Sequence, residues 1–399
     1  MKRVLVLGLG ATGRAAALAL AQGGDHVLAI DRDPASDAGR LAESGVEVRL
    51  GTEEESLLEG VELVVKSPGV PRESPLAAAA LARGIPLWSE IELGWRLLPG
   101  NPLVGVTGTK GKTTTVRLLG AMFDAAGVPV ELAGNEHRPL SEVALSVDAG
   151  TWIVCELSSF QLEDVFTLAC DVAVLLNLEP DHLDRHGTFE AYRDAKLRIF
   201  ERAKARIAPG DFSADDPLPA EPLIPGAHNR ENAAAATAAA RAAGLGDDAI
   251  AHALRTFAGV PHRLELVREL HGVRYVNDSK ATNTAAARSG VHAYDEPLRV
   301  IFGGSLKGED FGPLARDLPD NVRSIYLVGE ATDLLAAALD TVGREYSRDG
   351  DLATAVRHAA SDAEDGDVVL LSPACASYDQ FKNYEERGET FRRIVQDLT

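Results

Sequence analysis

The 399-residue chain reads as an α/β protein of three domains: a Rossmann-like N-terminal domain, a central P-loop ATPase-like domain with a parallel sheet, and a C-terminal Rossmann-like α/β domain. Three observations predict this. The length exceeds one ordinary core. Two glycine-rich turns each follow an apolar run and open a helical pattern, at Gly8-Leu9-Gly10-Ala11-Thr12-Gly13 and at Gly108-Thr109-Lys110-Gly111-Lys112-Thr113-Thr114. Short apolar runs then alternate with helical patterns to the end of the chain, as parallel sheets require.

In the first domain, predicted over 1–96, a strand from Arg3 to Leu7 leads into the first glycine turn, and a second strand from His26 to Ile30 ends in Asp31. Glycines that admit a pyrophosphate, followed by an acid for a ribose hydroxyl, make a dinucleotide fingerprint. Taken alone it points to an NAD-dependent oxidoreductase, although the same turn binds any diphosphate. A strand from Val61 to Val65 opens into Ser67-Pro68-Gly69, a turn at the carboxyl end of a strand, and Leu97-Leu-Pro-Gly100 reads as a linker.

The central domain, predicted over 97–259, begins with the phosphate loop. Its glycines let backbone N–H groups face phosphate oxygens, Lys112 offsets the β/γ-phosphate charge, and the Thr113 hydroxyl suits Mg²⁺. Val106 replaces the first glycine of the strict pattern. A strand from Trp152 ends in Glu156, the usual position for an acid that holds a nucleotide's metal. Another, from Val172, leads to Asp181-His182, so Thr113, Glu156 and His182 are expected at one sheet edge. Lys196, in a helix predicted over 188–202, reads by itself as a solvated lysine. Residues 205–225 are Pro-rich with little strand signal, and an Ala-rich helix follows from about Gly226 to Gly244.

The third domain, predicted over 260–399, opens with a hairpin turned at His271-Gly272. Next comes Asn277-Asp278-Ser-Lys280-Ala-Thr282-Asn283, a polar strand-to-helix cluster with the logic of an anion site. Strands near 299–302, 325–328 and 368–371 complete it, with polar turns at Gly303-Gly-Ser-Leu-Lys307 and after Ser372.

A net charge of −20 and the absence of any run of five basic residues argue against nucleic acid. No apolar run approaches a membrane span, and the Met1 end lacks signal-peptide architecture. Three cysteines without a Cys-x-x-Cys pair fit a reducing, cytoplasmic setting.

Eight ordered motifs carry a resemblance over essentially the whole chain: Gly108 to Thr113, Glu156-Leu-Ser-Ser-Phe-Gln-Leu-Glu163, Asp181 to Arg185, Tyr192-Arg-Asp-Ala-Lys196, His228-Asn229-x-x-Asn232, Pro261-His262-Arg263, Asn277 to Asn283, and Ser372 to Lys382. Together they resemble the Mur ligases, most closely the branch that couples D-glutamate to UDP-N-acetylmuramoyl-L-alanine. The resemblance implies a cytoplasmic, monomeric, ATP-dependent ligase of peptidoglycan precursor synthesis working through an acyl phosphate. It assigns the UDP substrate to Ala11, Thr12, Asp31, Ser67, Pro68, Gly69, Asn135, Ser158 and His182. ATP falls to the phosphate loop with Asn229, Asn232, Arg263, Asp278 and Lys280. The glutamate falls to Thr282, Lys307, Ser377 and Tyr384. Two Mg²⁺ ions are implied at Thr113, Glu156, His182 and Lys196, the last as a CO₂ adduct, which turns a cation into an anion. Catalytic roles attach to Lys112, Glu156, His182, Lys196, Asp278 and Lys280.

Three departures stand out. Lys110 occupies a position where the family more often has Asn, Glu136-His137-Arg138 follows Gly134-Asn135 where Ile-Gly is more usual, and the segment 205–227 is short. Other readings are a ligase for L-glutamate or another amino acid, a nicotinamide enzyme, and a non-catalytic UDP-sugar binder. Against the last, Lys112, Glu156, His182, Lys196 and Asp278 are all retained.

Overall fold

The computed structural model describes residues 1–306 and 308–399, so Lys307 lies outside the described residues. The chain forms two compact units, residues 1–221 with 231–255, and residues 222–230 with 256–399. The first unit contains two parallel sheets and the second contains one mixed sheet.

In the first sheet, β1 (Arg3–Leu7), α1 (Ala11–Gln22), β2 (His26–Asp31), β3 (Glu47–Leu50), β4 (Leu63–Lys66), α2 (Pro75–Ala82), β5 (Leu87–Ser89) and α3 (Glu90–Leu97) follow in chain order. The strands line up as β3-β2-β1-β4-β5, all parallel. Val4, Leu5, Val6 and Leu7 are buried, the continuous apolar run of a strand covered on both faces. The strand order reverses between β1 and β4, which is where α1 begins and where open sheets bind ligands.

The second sheet contains β6 (Leu103–Thr107), α4 (Lys112–Ala125), β7 (Val130–Gly134), α5 (Leu140–Val143), β8 (Trp152–Glu156), α6 (Ser159–Leu162), β9 (Val172–Leu175), α7 (Leu183–His186), α8 (Phe189–Leu197) and β10 (Ala205–Ile207). Its order is β10-β9-β6-β8-β7, so the strands that end at the phosphate loop, at Glu156 and before Asn177 are immediate neighbours. Strand β10 corrects the expectation of no strand after 205, and α8 stops at Leu197, short of the predicted 202. Helices α9 (Ala227–Ala242) and α10 (Asp247–Thr256) follow.

The third sheet is built from β11 (Glu265–Leu270), β12 (Val273–Asn277), α11 (Thr284–Val291), β13 (Leu298–Gly303), α12 (Gly312–Arg316), β14 (Val322–Val328), α13 (Thr332–Asp340), β15 (Ser347–Gly350), α14 (Leu352–Asp362), β16 (Val368–Leu371) and α15 (Tyr384–Gln396). The order is β11-β12-β16-β13-β14-β15, antiparallel only at the β11–β12 hairpin. Strand β15 was not predicted: Ser-Arg-Asp-Gly has no apolar run, and it pairs at the sheet edge with one side exposed.

Within the first unit, two buried carboxylates of α3 join the first sheet to the second. Glu92 accepts from the N–H groups of Phe166 (2.8 Å) and Thr167 (2.9 Å), from the Thr167 hydroxyl (2.7 Å) and from Arg96 (2.7 Å). Although burial pushes Glu92 up, these donors hold it below the usual carboxylate range. Glu90 receives only the N–H (2.7 Å) and hydroxyl (2.6 Å) of Ser141, both on Oε1, and its Oε2 has no partner among the described residues. Burial therefore prevails and lifts Glu90 to about 7.

A raised acid stabilises the fold while protonated and loses that contribution as pH rises. The unfolded chain releases this proton near 4.5 and the folded chain near 7. Stability should therefore fall between those values by on the order of 3 kcal/mol. Glu90→Gln keeps the acceptor for Ser141 and should flatten that loss, raising the urea midpoint at pH 8. An unchanged urea midpoint against pH would show that Glu90 is ionised in the fold.

Candidate active site

The phosphate loop joins β6 to α4. Gly111 caps α4 at φ +84, a left-handed conformation, and a Cβ there would stand 2.2 Å from Asn232 Oδ1, so loop shape and the contact with Asn232 both require glycine. The Nζ of Lys112 donates to the carbonyls of Gly108 and Thr109, each at 2.9 Å. The loop is tied to the segment after β9: Thr109 N–H donates to Asn177 O, the Thr109 hydroxyl pairs with Tyr192 at 2.9 Å, and Lys110 N–H donates to Asn177 Oδ1. The Lys110 side chain turns outward to Glu179 at 2.8 Å. Thr113 and Thr114 are buried in the first turn of α4.

Behind the loop, Lys196 is 2% exposed, its Nζ donating to Gly108 O at 2.8 Å and lying 4.8 Å from the Tyr192 ring centre. Burial first, then repulsion from Lys112, brings its ammonium down to about 7. The isolated-residue reading of Lys196 as a solvated helix lysine is thus wrong: Thr188 caps α8, and the helix turns this position inward. Glu156, 1% exposed at the tip of β8, has the side chains of Thr113 and Asn135 near enough to favour its charged form. Burial raises it in spite of nearby Lys112, and its Oε2 accepts no hydrogen bond among the described residues.

A buried carboxylate oxygen with free lone pairs, a threonine hydroxyl and a lysine poised near neutrality fit an oxygen-ligated divalent cation. His182 caps α7 at φ 51, its ring is half exposed, and its Nε2 lies 3.5 Å from Asp181. Among the described residues no three His, Cys, Asp or Glu side chains form a metal cluster.

At the carboxyl ends of β1, β2 and β4 lies a cavity of about 220 Å³, lined by Gly8, Gly10, Asp31, Ser67, Gly69 and neighbours. Asp31 accepts the N–H groups of Leu9 (2.7 Å) and Asp33 (3.0 Å), which outweigh burial and hold its carboxyl below the usual range. The hydroxyls of Thr12 and Ser67 meet at 2.9 Å. Ala11 is exposed at the start of α1. Ser158 is occupied as the cap of α6, in a reciprocal pair with Gln161. One cavity wall depends on a residue with no role in the sequence reading: Arg185 of α7 donates to Pro68 O (2.7 Å) and Val70 O (3.0 Å).

In the second unit, Asp278 follows β12, buried and accepting from Ser372 Oγ at 2.7 Å. Burial raises it to about 7. Lys280 Nζ lies 5.7 Å from the Tyr384 ring centre. Thr282 and Arg263 are half-buried, Ser377 is buried, and the Asn229 amide donates to Pro225 O at 2.6 Å. Arg387, also unforeseen, is 2% exposed and donates to Ser279 Oγ (2.9 Å) and O (2.8 Å), Cys375 O (3.1 Å) and Ala376 O (3.0 Å). It clamps the loop of Asp278 and Lys280 to the loop of Ser377.

Fold and site together define a P-loop nucleotide-binding α/β enzyme. Residues 2–89 match the Mur ligase MurD-like N-terminal domain, 106–218 the Mur ligase middle domain, and 262–375 the Mur ligase glutamate ligase domain. The UDP-N-acetylmuramoylalanine–D-glutamate ligase of Pelotomaculum thermopropionicum is 40% identical over an alignment 450 positions long, covering 100% of this chain and 98% of that protein. Its namesake from Sphingopyxis alaskensis is 42% identical over 431 positions, again covering 100% and 98%. Among solved structures, the UDP-N-acetylmuramate-alanine ligase of Thermotoga maritima superposes with a TM-score of 0.58 at 18% identity, covering 99% of each chain. A MurF ligase of the same organism in complex with ADP also gives 0.58, at 17% identity, covering 93% of this chain and 95% of that one. The chain belongs to the Mur ligase family.

Replacing Arg387 by Met strands several buried carbonyls, each costing about 1–3 kcal/mol. Chemical denaturation should show a loss of about 3 kcal/mol or more. A loss under about 1 kcal/mol would mean that the two loops hold themselves.

Proposed function

We propose that this chain couples D-glutamate to UDP-N-acetylmuramoyl-L-alanine, with ATP converted to ADP and phosphate, in cytoplasmic peptidoglycan precursor synthesis. One observation carries the reading: relatives bearing the name of that ligase are about 40% identical along the entire chain. The retained set of Lys112, Glu156 and Lys196 at one sheet edge supports it. Buried, unpaired cysteines Cys155, Cys170 and Cys375 suit a reducing compartment, and we take the enzyme to act as a monomer.

The terminal alanine carboxylate attacks the γ-phosphorus of ATP, giving an acyl phosphate and ADP. The glutamate amine then attacks the acyl carbon, an amide forms and phosphate leaves. Lys112 and the loop N–H groups with Gly108 and Gly111 bind the phosphates and offset the charge that moves in transfer. Asn232, against the loop, serves the adenine side with Asn229. Arg263, Asp278 and Lys280 are assigned to the nucleotide by resemblance alone. Thr282, Ser377, Tyr384 and Lys307 are assigned to glutamate on the same ground. Asp31, Thr12 and Ser67 hold the UDP moiety, with Asn135 and His182 toward the muramoyl end.

Thr113, Glu156, His182 and a carbamylated Lys196 would hold Mg²⁺, which supplies charge neutralisation on the transferred group. Lys196 suits that modification, since an amine brought down to about 7 is substantially neutral at neutral pH. The ammonium first releases one proton; the lone pair of the neutral amine then attacks the carbon of CO₂, the N–C bond forms as one C=O π pair moves onto oxygen, and a second proton leaves nitrogen, so that the cation has become a carbamate anion.

Phosphate release measured with UDP-N-acetylmuramoyl-L-alanine should depend on D-glutamate, stay at background with L-glutamate, and fall about 10²-fold or more in Lys112→Ala. Release with L-glutamate only would move the specificity, and release with neither would sink the proposed activity. Separately, protein equilibrated with ¹³C-bicarbonate should show a carbamate carbon resonance that disappears in Lys196→Arg. No such resonance in the unaltered chain would remove the adduct.

A further inference from the structure

The turn after β7 reads Gly134-Asn135-Glu136-His137-Arg138 and is folded flat against the tip of β8. Gly134 adopts φ +102, and a Cβ there would stand 2.1 Å from the carbonyl oxygen of Glu156. The N–H of Asn135 donates to that same oxygen at 2.9 Å, Gly134 N–H donates to Arg138 O at 2.9 Å, and His137 N–H donates to Gly134 O at 3.1 Å. Arg138 points away, to Glu142 at 3.0 Å. This geometry carries the His137 ring inward. Its Nε2 faces Oε2 of Glu156 at 3.8 Å, with side chains 8% and 1% exposed.

That separation exceeds a hydrogen bond, yet one atom lying between the two could touch both. Oε2 is the Glu156 oxygen that accepts no hydrogen bond among the described residues, while the side chains of Thr113 and Asn135 lie near the same carboxylate. Thus an imidazole nitrogen and a carboxylate oxygen face each other beside the phosphate loop, with Thr113 close to the carboxylate.

We propose that His137 is a further ligand of the divalent-cation site at Glu156, giving this chain a stronger preference for a borderline ion such as Mn²⁺ over Mg²⁺. The inference rests on the reading of Glu156 as a metal residue. The chemistry is general: Mg²⁺ favours oxygen donors and keeps much of its water, whereas neutral imidazole suits transition ions and raises their affinity selectively.

The test is Mn²⁺ binding to the full chain with a non-hydrolysable ATP analogue, read by the electron paramagnetic resonance of free Mn²⁺, with Mg²⁺ as competitor. Pulsed measurements of ¹⁴N coupling to bound Mn²⁺ accompany it. His137→Ala removes the ring. His137→Gln also removes the imidazole but leaves an amide N–H able to support Glu156, and urea unfolding checks that both variants fold. In both, Mn²⁺ affinity should drop about ten-fold, a histidine nitrogen coupling should be lost, and Mg²⁺ affinity should change far less. Unchanged Mn²⁺ affinity and coupling in both variants, or full recovery in His137→Gln, would make His137 a mere support for the carboxylate and overturn the inference. No Mn²⁺ binding by the unaltered chain would overturn the metal-site reading beneath it. Normal His137-dependent Mn²⁺ binding without D-glutamate-dependent turnover would overturn only the proposed activity.

Discussion

Two lysines and one carboxylate share the buried carboxyl edge of the second sheet, and the local architecture follows from keeping them there. Lys112 and Lys196 repel each other, and the attraction of Lys196 to Asp181 and Glu156 does not offset its burial and that repulsion. Backbone carbonyls take up the difference: Gly108 O receives hydrogen bonds from both ammonium groups, and Thr109 O receives a second one from Lys112. The loop must present those oxygens inward, which calls for left-handed Gly111 and for the tethers to Asn177 and Tyr192. The burial that makes the cluster costly also brings Lys196 to about 7 and lifts Glu156, so both respond readily to an added anion or cation.

The phosphate loop, Asp31 and the edge position of Glu156 were legible because each depends on a local order of strand, glycine and helix. The short edge strands β10 and β15 were not, since the three residues of Ala-Arg-Ile are too few to establish a period, Ser-Arg-Asp-Gly has no apolar residue, and both gain their pairing from the sheet they join. Arg185 and Arg387 were illegible for another reason. The carbonyls of Pro68 and Val70 that Arg185 holds and the Ser279 that Arg387 holds lie over a hundred positions away, and an arginine in a polar helix carries no local sign that it will be drawn inward. Glu90 and Glu92 lie in the first turn of α3, and both are buried where the first two sheets meet.

The departures from the family pattern have unequal weight. Lys110 adds positive charge beside the phosphate loop in sequence, but its side chain pairs with Glu179 on a half-exposed surface. Such a pair contributes at most about 1 kcal/mol, and its net field at the loop is small. The 136–138 substitution instead places a ring 3.8 Å from the buried carboxylate at the tip of β8. Position relative to Glu156, more than the size of the change, separates the two.

The N-terminal turn illustrates how one backbone solution serves different ligands. Its glycines and Asp31 would equally suit a nicotinamide dinucleotide, but the cavity is not self-sufficient. Arg185 holds the carbonyls of Pro68 and Val70, and its guanidinium stacks 4.1 Å from the Phe160 ring centre in the second sheet's α6. His182, three positions earlier, packs on that same Phe160 ring. The Ser67–Gly69 turn is therefore held by the helix that follows His182. A free-standing dinucleotide module has no use for that link, whereas a chain whose first two sheets form one compact unit does.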